Sequence, residues 1–165
     1  MTEPRRVLGC DPGVSGALAL IDGDGVLLDV ADCPCRNDGP AGRSKLDAPA
    51  FAAIVREWSP SEAFVEAVNA KPTDGVVGAF AFGRSAGAVD GILAGLGIPV
   101  RHPQPVGWRR AVGLPVGSTK DASRSEAARR WPAHAHMFER KRDDGRAEAC
   151  LIAAAGLKVP PAARP

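Results

Sequence analysis

Three short apolar runs open the chain. Residues 6–11 (Arg-Val-Leu-Gly-Cys-Asp) end on a carboxylate, Pro12-Gly13 turns the chain, and a second run starts at Gly16 and continues to Ile21. Asp22-Gly23-Asp24-Gly25 is another turn signal, followed by a third run over 26–30. Tight turns between short apolar runs predict an antiparallel meander of strands 6–11, 16–21 and 26–30. Residues 33–47 are rich in Pro, Gly, Asn and Ser and are expected as an exposed loop. Over 48–58, Phe51, Ile54, Val55 and Trp58 recur at helical spacing. A short buried strand over 63–66 again ends on a carboxylate, Glu66, and an irregular stretch follows over 67–78. Residues 76–96 then read as a long helix of small residues suited to close packing against another helix or another subunit. A strand over 98–102 carries Pro99, which places it near a sheet edge or strand start. Short helix 108–112 precedes a helix capped by Ser118-Thr119 that runs to Arg130, with Pro132 after its end. The last helix covers 144–157, with Gly145 ill suited to its first turn. This order predicts an α/β fold: a mixed five-stranded sheet, three antiparallel strands first, flanked by helices. Residues 1–165 form one domain, with 158–165 as a tail.

Composition narrows the class. At 165 residues, 45% hydrophobic and 24% charged, the chain is long enough for a sizeable core and ordinary for a globular protein. No run of 18 apolar residues is present and the N-terminus lacks an apolar signal core, so a cytoplasmic location without a membrane partner is expected. Cys33-Pro34-Cys35 is too tight for zinc spacing, while Cys10 and Cys150 lie in apolar runs and read as core thiols. The net charge is only +2, but basic residues cluster over 101–110, 120–130 and 140–146. Clusters of this kind fit either solvated helix faces or a nucleic-acid contact.

The carboxylates carry more information. Asp11 and Glu66 each end an apolar strand, and neighbouring strand ends lie about 5 Å apart. Asp144 and Glu148 are four residues apart on one helix face. Should that face look at the strand ends, four carboxylates converge, and they cannot all stay ionised without a cation. Hard oxygen ligands select Mg²⁺ or Mn²⁺, and two such ions suit in-line attack of water on a phosphodiester. Each position also has a plainer role: Asp11 can start a turn, and Asp143, beside Asp144, can cap the helix. Lys120, after a Gly-Ser-Thr loop, fits a positive charge beside a phosphate as well as it fits a surface lysine.

Taken together, certain segments resemble the RuvC-like Holliday junction resolvases of the RNase H-like superfamily, in the branch of phage and bacterial proteins that includes the plant organellar junction resolvase. These are Asp11-Pro12-Gly13 with Ser15-Gly16-Ala17, Val65-Glu66, Phe80 to Ser85 with Gly87 and Gly91-Ile92-Leu93, Trp108-Arg109-Arg110, Lys120-Asp121 with Ser123-Arg124, and Lys141 to Ala149. The resemblance implies that Asp11, Glu66, Asp144 and Glu148 form a catalytic set holding two Mg²⁺ ions per site, with Mn²⁺ as a substitute. It implies a catalytic role for Lys120, although Thr119 is interposed in the matching Gly-Ser-Lys-Asp stretch. It further implies a homodimer that nicks a four-way junction symmetrically, with the helix from about Ser85 in the dimer contact. Residues 69–82 fall where the family meets junction bases, so Phe80 and Phe82 either stack on bases or pack in the core. Asp144 and Glu148 are four apart, whereas the bacterial proteins look three apart with Asp in place of Glu; both spacings keep one helical face.

The expected activity is therefore a structure-selective endonuclease that resolves four-way DNA junctions. The alternative is a related Mg²⁺-dependent nuclease acting on other branched or flap DNA. A sugar-kinase or ATPase fragment also opens on an Asp-x-Gly turn, but 165 residues do not hold its two domains. A junction binder without catalysis gains nothing from four carboxylates near phosphate.

Overall fold

The computed structural model describes residues 4–39 and 43–162. In chain order its strands are β1 (Arg6–Cys10), β2 (Ala17–Asp22), β3 (Leu27–Asp32), β4 (Cys35–Asn37), β5 (Ser44–Leu46), β6 (Glu62–Val65) and β7 (Val100–Arg101). Its α-helices are α1 (Ala48–Trp58), α2 (Val76–Gly95), α3 (Pro105–Ala111), α4 (Lys120–Arg130) and α5 (Asp144–Gly156). The main sheet has five strands in the order β3-β2-β1-β6-β7. β1 pairs antiparallel with β2 (Cys10 opposite Leu18) and parallel with β6 (Cys10 opposite Val65), so the sheet is mixed as expected.

Alternation along β1 and β2 divides the core in two. Val7, Ala17, Ala19 and Ile21 face α5 together with Trp108, Leu151 and Ile152. Leu8, Cys10, Leu18 and Leu20 face the other way, onto Phe51, Val55 and Trp58 of α1 and Val89 and Leu93 of α2. The central strands are covered on both faces, which explains their near-continuous apolar sequence.

Helix α5 lies with its backbone against the sheet. A Cβ on Gly9 would sit 2.1 Å from the Ala149 carbonyl oxygen, and one on Gly145 would sit 2.6 Å from the Ser15 carbonyl oxygen. Gly145 thus weakens the helix locally but lets its first turn seat on the β1–β2 turn. Glu62, buried at the start of β6, is paired by Arg5 at 2.8 Å, and Arg5 also donates to the Gly156 carbonyl at the end of α5.

Several elements differ from the sequence expectation. The stretch 33–47 contains the β4–β5 hairpin, with Cys35 opposite Leu46; β4 is exposed, but Cys33 and Leu46 are buried. Three-residue strands are too short to show a period, so composition alone suggested a loop; residues 40–42 lie outside the described residues. Helix α3 begins at Pro105 rather than near 108, because proline suits the first helical turn. Two short 3₁₀ segments, Pro132–Phe138 and Lys141–Asp143, fill the connection to α5. Residues 158–162 of the expected tail are anchored: Arg101 donates to the Pro160 carbonyl and the Ala162 amide donates to Glu62. Residues 163–165 lie outside the described residues.

Helix α2 buries Ser85, Val89 and Leu93, with Ala88 and Ile92 packed beside them against the core. Gly83, Gly87, Gly91 and Gly95 fall two residues out of phase, on the opposite face, and nothing lies within 4 Å of a Cβ placed on any of them. With a mean hydropathy of 1.3 over its window, α2 is long and apolar enough to cross a membrane by length and composition, although Arg84 and Asp90 interrupt it.

Candidate active site

Asp11 follows the last residue of β1 and Glu66 follows the last residue of β6, on adjacent parallel strands. The Glu66 amide donates to the Cys10 carbonyl, continuing the ladder by one residue and setting the two acidic side chains beside each other. The turn after Asp11 is tight because residue 16 is glycine: a Cβ there would lie 2.1 Å from the Asp11 carbonyl oxygen. Among the described residues, Asp11 Oδ1 accepts only a long bond from the Gly13 amide, 3.4 Å. The turn role and the ligand role are therefore compatible, since the carboxylate is barely committed.

Asp144 and Glu148, one turn apart on α5, complete an electrostatic ring with them: Asp144 acts on Asp11, Asp11 on Glu66, and Asp11 and Glu66 on Glu148. Lys120 Nζ, at the start of α4, is 2.5 Å from Asp144 Oδ2. Arg109 Nη2 donates to Glu148 Oε1 at 2.5 Å, and Trp108 Nε1 donates to Glu66 Oε1 at 2.8 Å. Thr119 caps α4 by accepting from the Ala122 amide at 3.3 Å, which presents Lys120 at the first helical position.

These groups lie in one electrostatic neighbourhood. Burial pushes the Asp11 carboxyl above its ordinary range, with the Gly13 amide and Lys120 opposing and Asp144 adding to the rise. Burial likewise raises Glu66, against the Trp108 bond and with help from Asp11. Glu148 is pushed up to about 6 by burial, opposed by Arg109 and reinforced by Asp11 and Glu66. Lys120 is raised by its bond to Asp144, with Glu148 and Asp11 contributing. Three carboxyls held above their usual range by burial and by one another are what a divalent cation relieves, and their oxygen donors suit Mg²⁺ or Mn²⁺. Among the described residues, no three His, Cys, Asp or Glu side chains already stand in ion-holding geometry. The acids ring the site, and Lys120 and Arg109 balance part of their charge.

Of the adjacent aspartates, Asp144 faces this ring and Asp143 does not. Asp143 is buried and accepts from the Arg140 amide at 2.8 Å and from its guanidinium at 2.9 Å. Burial pushes its carboxyl up, but the Arg140 bonds outweigh burial and hold it below the usual range. Nor does its side chain cap α5, as the alternative role required; it closes the preceding 3₁₀ turn instead.

Other side chains fall into place around the ring. The Cys33 and Cys35 thiols donate to the Asp11 and Val14 carbonyls at 3.4 and 3.3 Å, tying the β4–β5 hairpin to the turn that carries Asp11. Between this hairpin and α2 lies a groove of about 530 Å³, lined by Val14, Arg36, Lys45, Leu46, Phe82 and Arg84 among others. Phe80 is 68% exposed and Phe82 37%, so neither is core packing. The basic cluster of α4 is largely tied down within the protomer: Arg129 and Arg130 pair with Glu126, Arg124 pairs with Asp121, and Arg124 and Arg130 also donate to the Glu139 and Val112 carbonyls. Trp108, Arg109 and Ser123 belong to the site's surroundings and were not singled out as site residues by sequence. Trp108-Arg109 and Ser123 stood out only as motif segments, and a buried indole N–H needs an acceptor without saying which.

No family model matches the chain. Over 94 residues it is 34% identical to the chloroplastic Holliday junction resolvase MOC1 of Chlamydomonas reinhardtii, a match covering 57% of this chain and 11% of that protein's length. Among solved structures, Thermus thermophilus RuvC in complex with a Holliday junction substrate superposes with a TM-score of 0.61, at 18% identity and 92% coverage of both chains. A second Thermus thermophilus RuvC structure gives 0.58 at 15% identity, covering 93% of this chain and 95% of that one. The fold is that of RuvC. In this RuvC fold the antiparallel meander and the parallel β1–β6 pair leave Asp11 and Glu66 at one end of the sheet, and the glycine-seated α5 brings Asp144 and Glu148 to the same end.

Proposed function

We propose that this protein is a structure-selective endonuclease that resolves four-way DNA junctions by divalent-metal-dependent hydrolysis of phosphodiesters, acting as a homodimer. The observation that carries the reading is the mutual electrostatic coupling of Asp11, Glu66, Asp144 and Glu148, with Lys120 on Asp144, at the strand ends of a RuvC fold. Asp11, Glu66, Asp144 and Glu148 would hold two Mg²⁺ ions, or Mn²⁺ in their place. When bound, such ions activate a water and neutralise the leaving oxygen. Lys120, 70% exposed in its side chain, is free to leave Asp144 and face a phosphate. The N-terminus of α4, where Lys120 sits, adds a favourable field for an anion.

The groove beside Val14 supports a DNA partner, because Arg36 and Arg84 line it while Asp38 neutralises Lys45 at 2.6 Å. Replacing Arg36 and Arg84 together by Glu is expected to weaken junction binding about tenfold or more and to reduce the salt slope by about two. Binding isotherms at several salt concentrations check this.

The outward glycine face of α2 supports the second copy. Gly87→Arg is expected to give a folded monomer by light scattering, since nothing lies within 4 Å of that position in the protomer, with Tm lowered only by the loss of association. Paired nicks would become single nicks.

The reading is tested with a panel of synthetic substrates in Mg²⁺. Preferential, symmetric cutting of the four-way junction is expected. Preferential cutting of flaps would favour a different branched-DNA nuclease, and equal cutting of linear duplex would overturn both.

A further inference from the structure

Each glutamate of the ring is held by one oxygen. Trp108 Nε1 holds Glu66 Oε1 and Arg109 Nη2 holds Glu148 Oε1, and neither Oε2 has a hydrogen-bond partner among the described residues. The two donors are consecutive residues of α3 and are fixed to each other, the Arg109 guanidinium lying 4.7 Å from the Trp108 ring centroid. Arg109 Nη1 also reaches the buried Ser123 hydroxyl of α4 at 3.5 Å. Arg130 of α4 in turn donates to the Val112 carbonyl just past α3, so the two helices hold together at a second point.

The two cations of the site therefore differ in kind. Lys120 is an exposed ammonium on the surface, held by Asp144 alone among the described residues. Arg109 is a planar fork gripped by a ring, a hydroxyl and a carboxylate, and a group so gripped orients its carboxylate rather than making way for another cation. Trp108 is 1% exposed, and an indole that served packing alone would need only a backbone acceptor. Trp131 is that case, donating to the Gly25 carbonyl at 2.9 Å. Trp108 instead spends its N–H on a carboxylate that burial is pushing toward protonation.

We propose that Trp108 and Arg109 are a positioning pair for the metal site, each securing one oxygen of a glutamate so that the other oxygen is left for a divalent ion. The inference rests on the metal-site reading above. Outer partners of this sort typically change metal affinity by about 10- to 100-fold.

The test is calorimetric titration of Mn²⁺ into the DNA-free protein, with Tm measured in chelator alongside. Trp108→Phe keeps the ring and removes the N–H; Arg109→Gln keeps polarity and removes the fork. Both are expected to weaken Mn²⁺ binding about tenfold or more, with Arg109→Lys recovering part of the loss. Trp131→Phe is the control, lowering Tm but leaving Mn²⁺ affinity unchanged. If Trp108→Phe and Arg109→Gln bind Mn²⁺ as tightly as the parent, the positioning role is overturned, however far their Tm falls. Should Trp108→Phe fail to fold, the partly exposed Arg109 still decides the matter. A parent protein that binds no Mn²⁺ overturns the metal-site reading itself, which is a separate outcome.

Discussion

Asp11→Asn is expected to abolish the proposed junction cleavage while leaving junction binding in place. Asparagine keeps the shape of the side chain and an oxygen for the Gly13 amide, but it removes one charge from the four-carboxylate ring. If Asp11 holds the metal as proposed, its loss is expected to cost about a thousandfold in rate, roughly 4 kcal/mol of transition-state stabilisation. Affinity for the junction should hold, because phosphate contacts by basic side chains dominate it. Single-turnover cleavage and a gel-shift isotherm on the same sample separate the two. Stability should move the other way. Burial raises Asp11 and Glu148 above their ordinary range, so their charged forms oppose folding. A carboxyl raised in the folded state contributes stability that is present below its unfolded value and lost as pH rises, through about 6 for Glu148. At neutral pH without metal, Asp11→Asn relieves part of that repulsion, and its Tm in chelator should exceed the parent's by about 2–4 °C for each kcal/mol relieved. A variant that cuts at the parental rate would remove Asp11 from the site.

Gly9→Ala is the largest expected loss of stability. The added Cβ would meet the Ala149 carbonyl oxygen at 2.1 Å and the Ala153 amide nitrogen at 2.6 Å, both backbone atoms of α5. No side chain can rotate to make room, so the helix must lift from β1. Overpacking of this severity costs about 3 kcal/mol or more, a fall in Tm of roughly 6–12 °C for a chain of this size. Because α5 carries Asp144 and Glu148, the folded fraction should also lose activity per molecule. Gly107→Ala is the counterpart: nothing lies within 4 Å of its Cβ position in α3, and alanine there should stabilise by up to about 1 kcal/mol. Thermal unfolding of the two variants side by side checks both directions, and equal melting temperatures would show that α5 does not sit this close.

Much of the architecture was legible because it is local. The β1–β2–β3 meander follows from short apolar runs separated by the Pro12-Gly13 and Asp22–Gly25 turns, and the start of α4 follows from Thr119. Asp11 and Glu66 were legible as acids at the ends of apolar runs, and Asp144 and Glu148 as acids one helical turn apart. The β4–β5 hairpin was not legible, since its strands are held by Cys33 and Leu46 plugging a core built from α1 and α2. Trp108 and Arg109 could be seen as a motif, but their acceptors lie 42 and 39 residues away in sequence.

The sequence by itself determined which residue types stand at strand ends and helix faces, because side-chain periods of 2 and 3.6 are properties of the local backbone. Only the tertiary structure decided between Asp143 and Asp144. Adjacent helical residues point about 100° apart, and which of them meets the strand ends depends on how α5 is rotated against the sheet. That rotation is set by Gly9 and Gly145, where backbone meets backbone and a Cβ has no room.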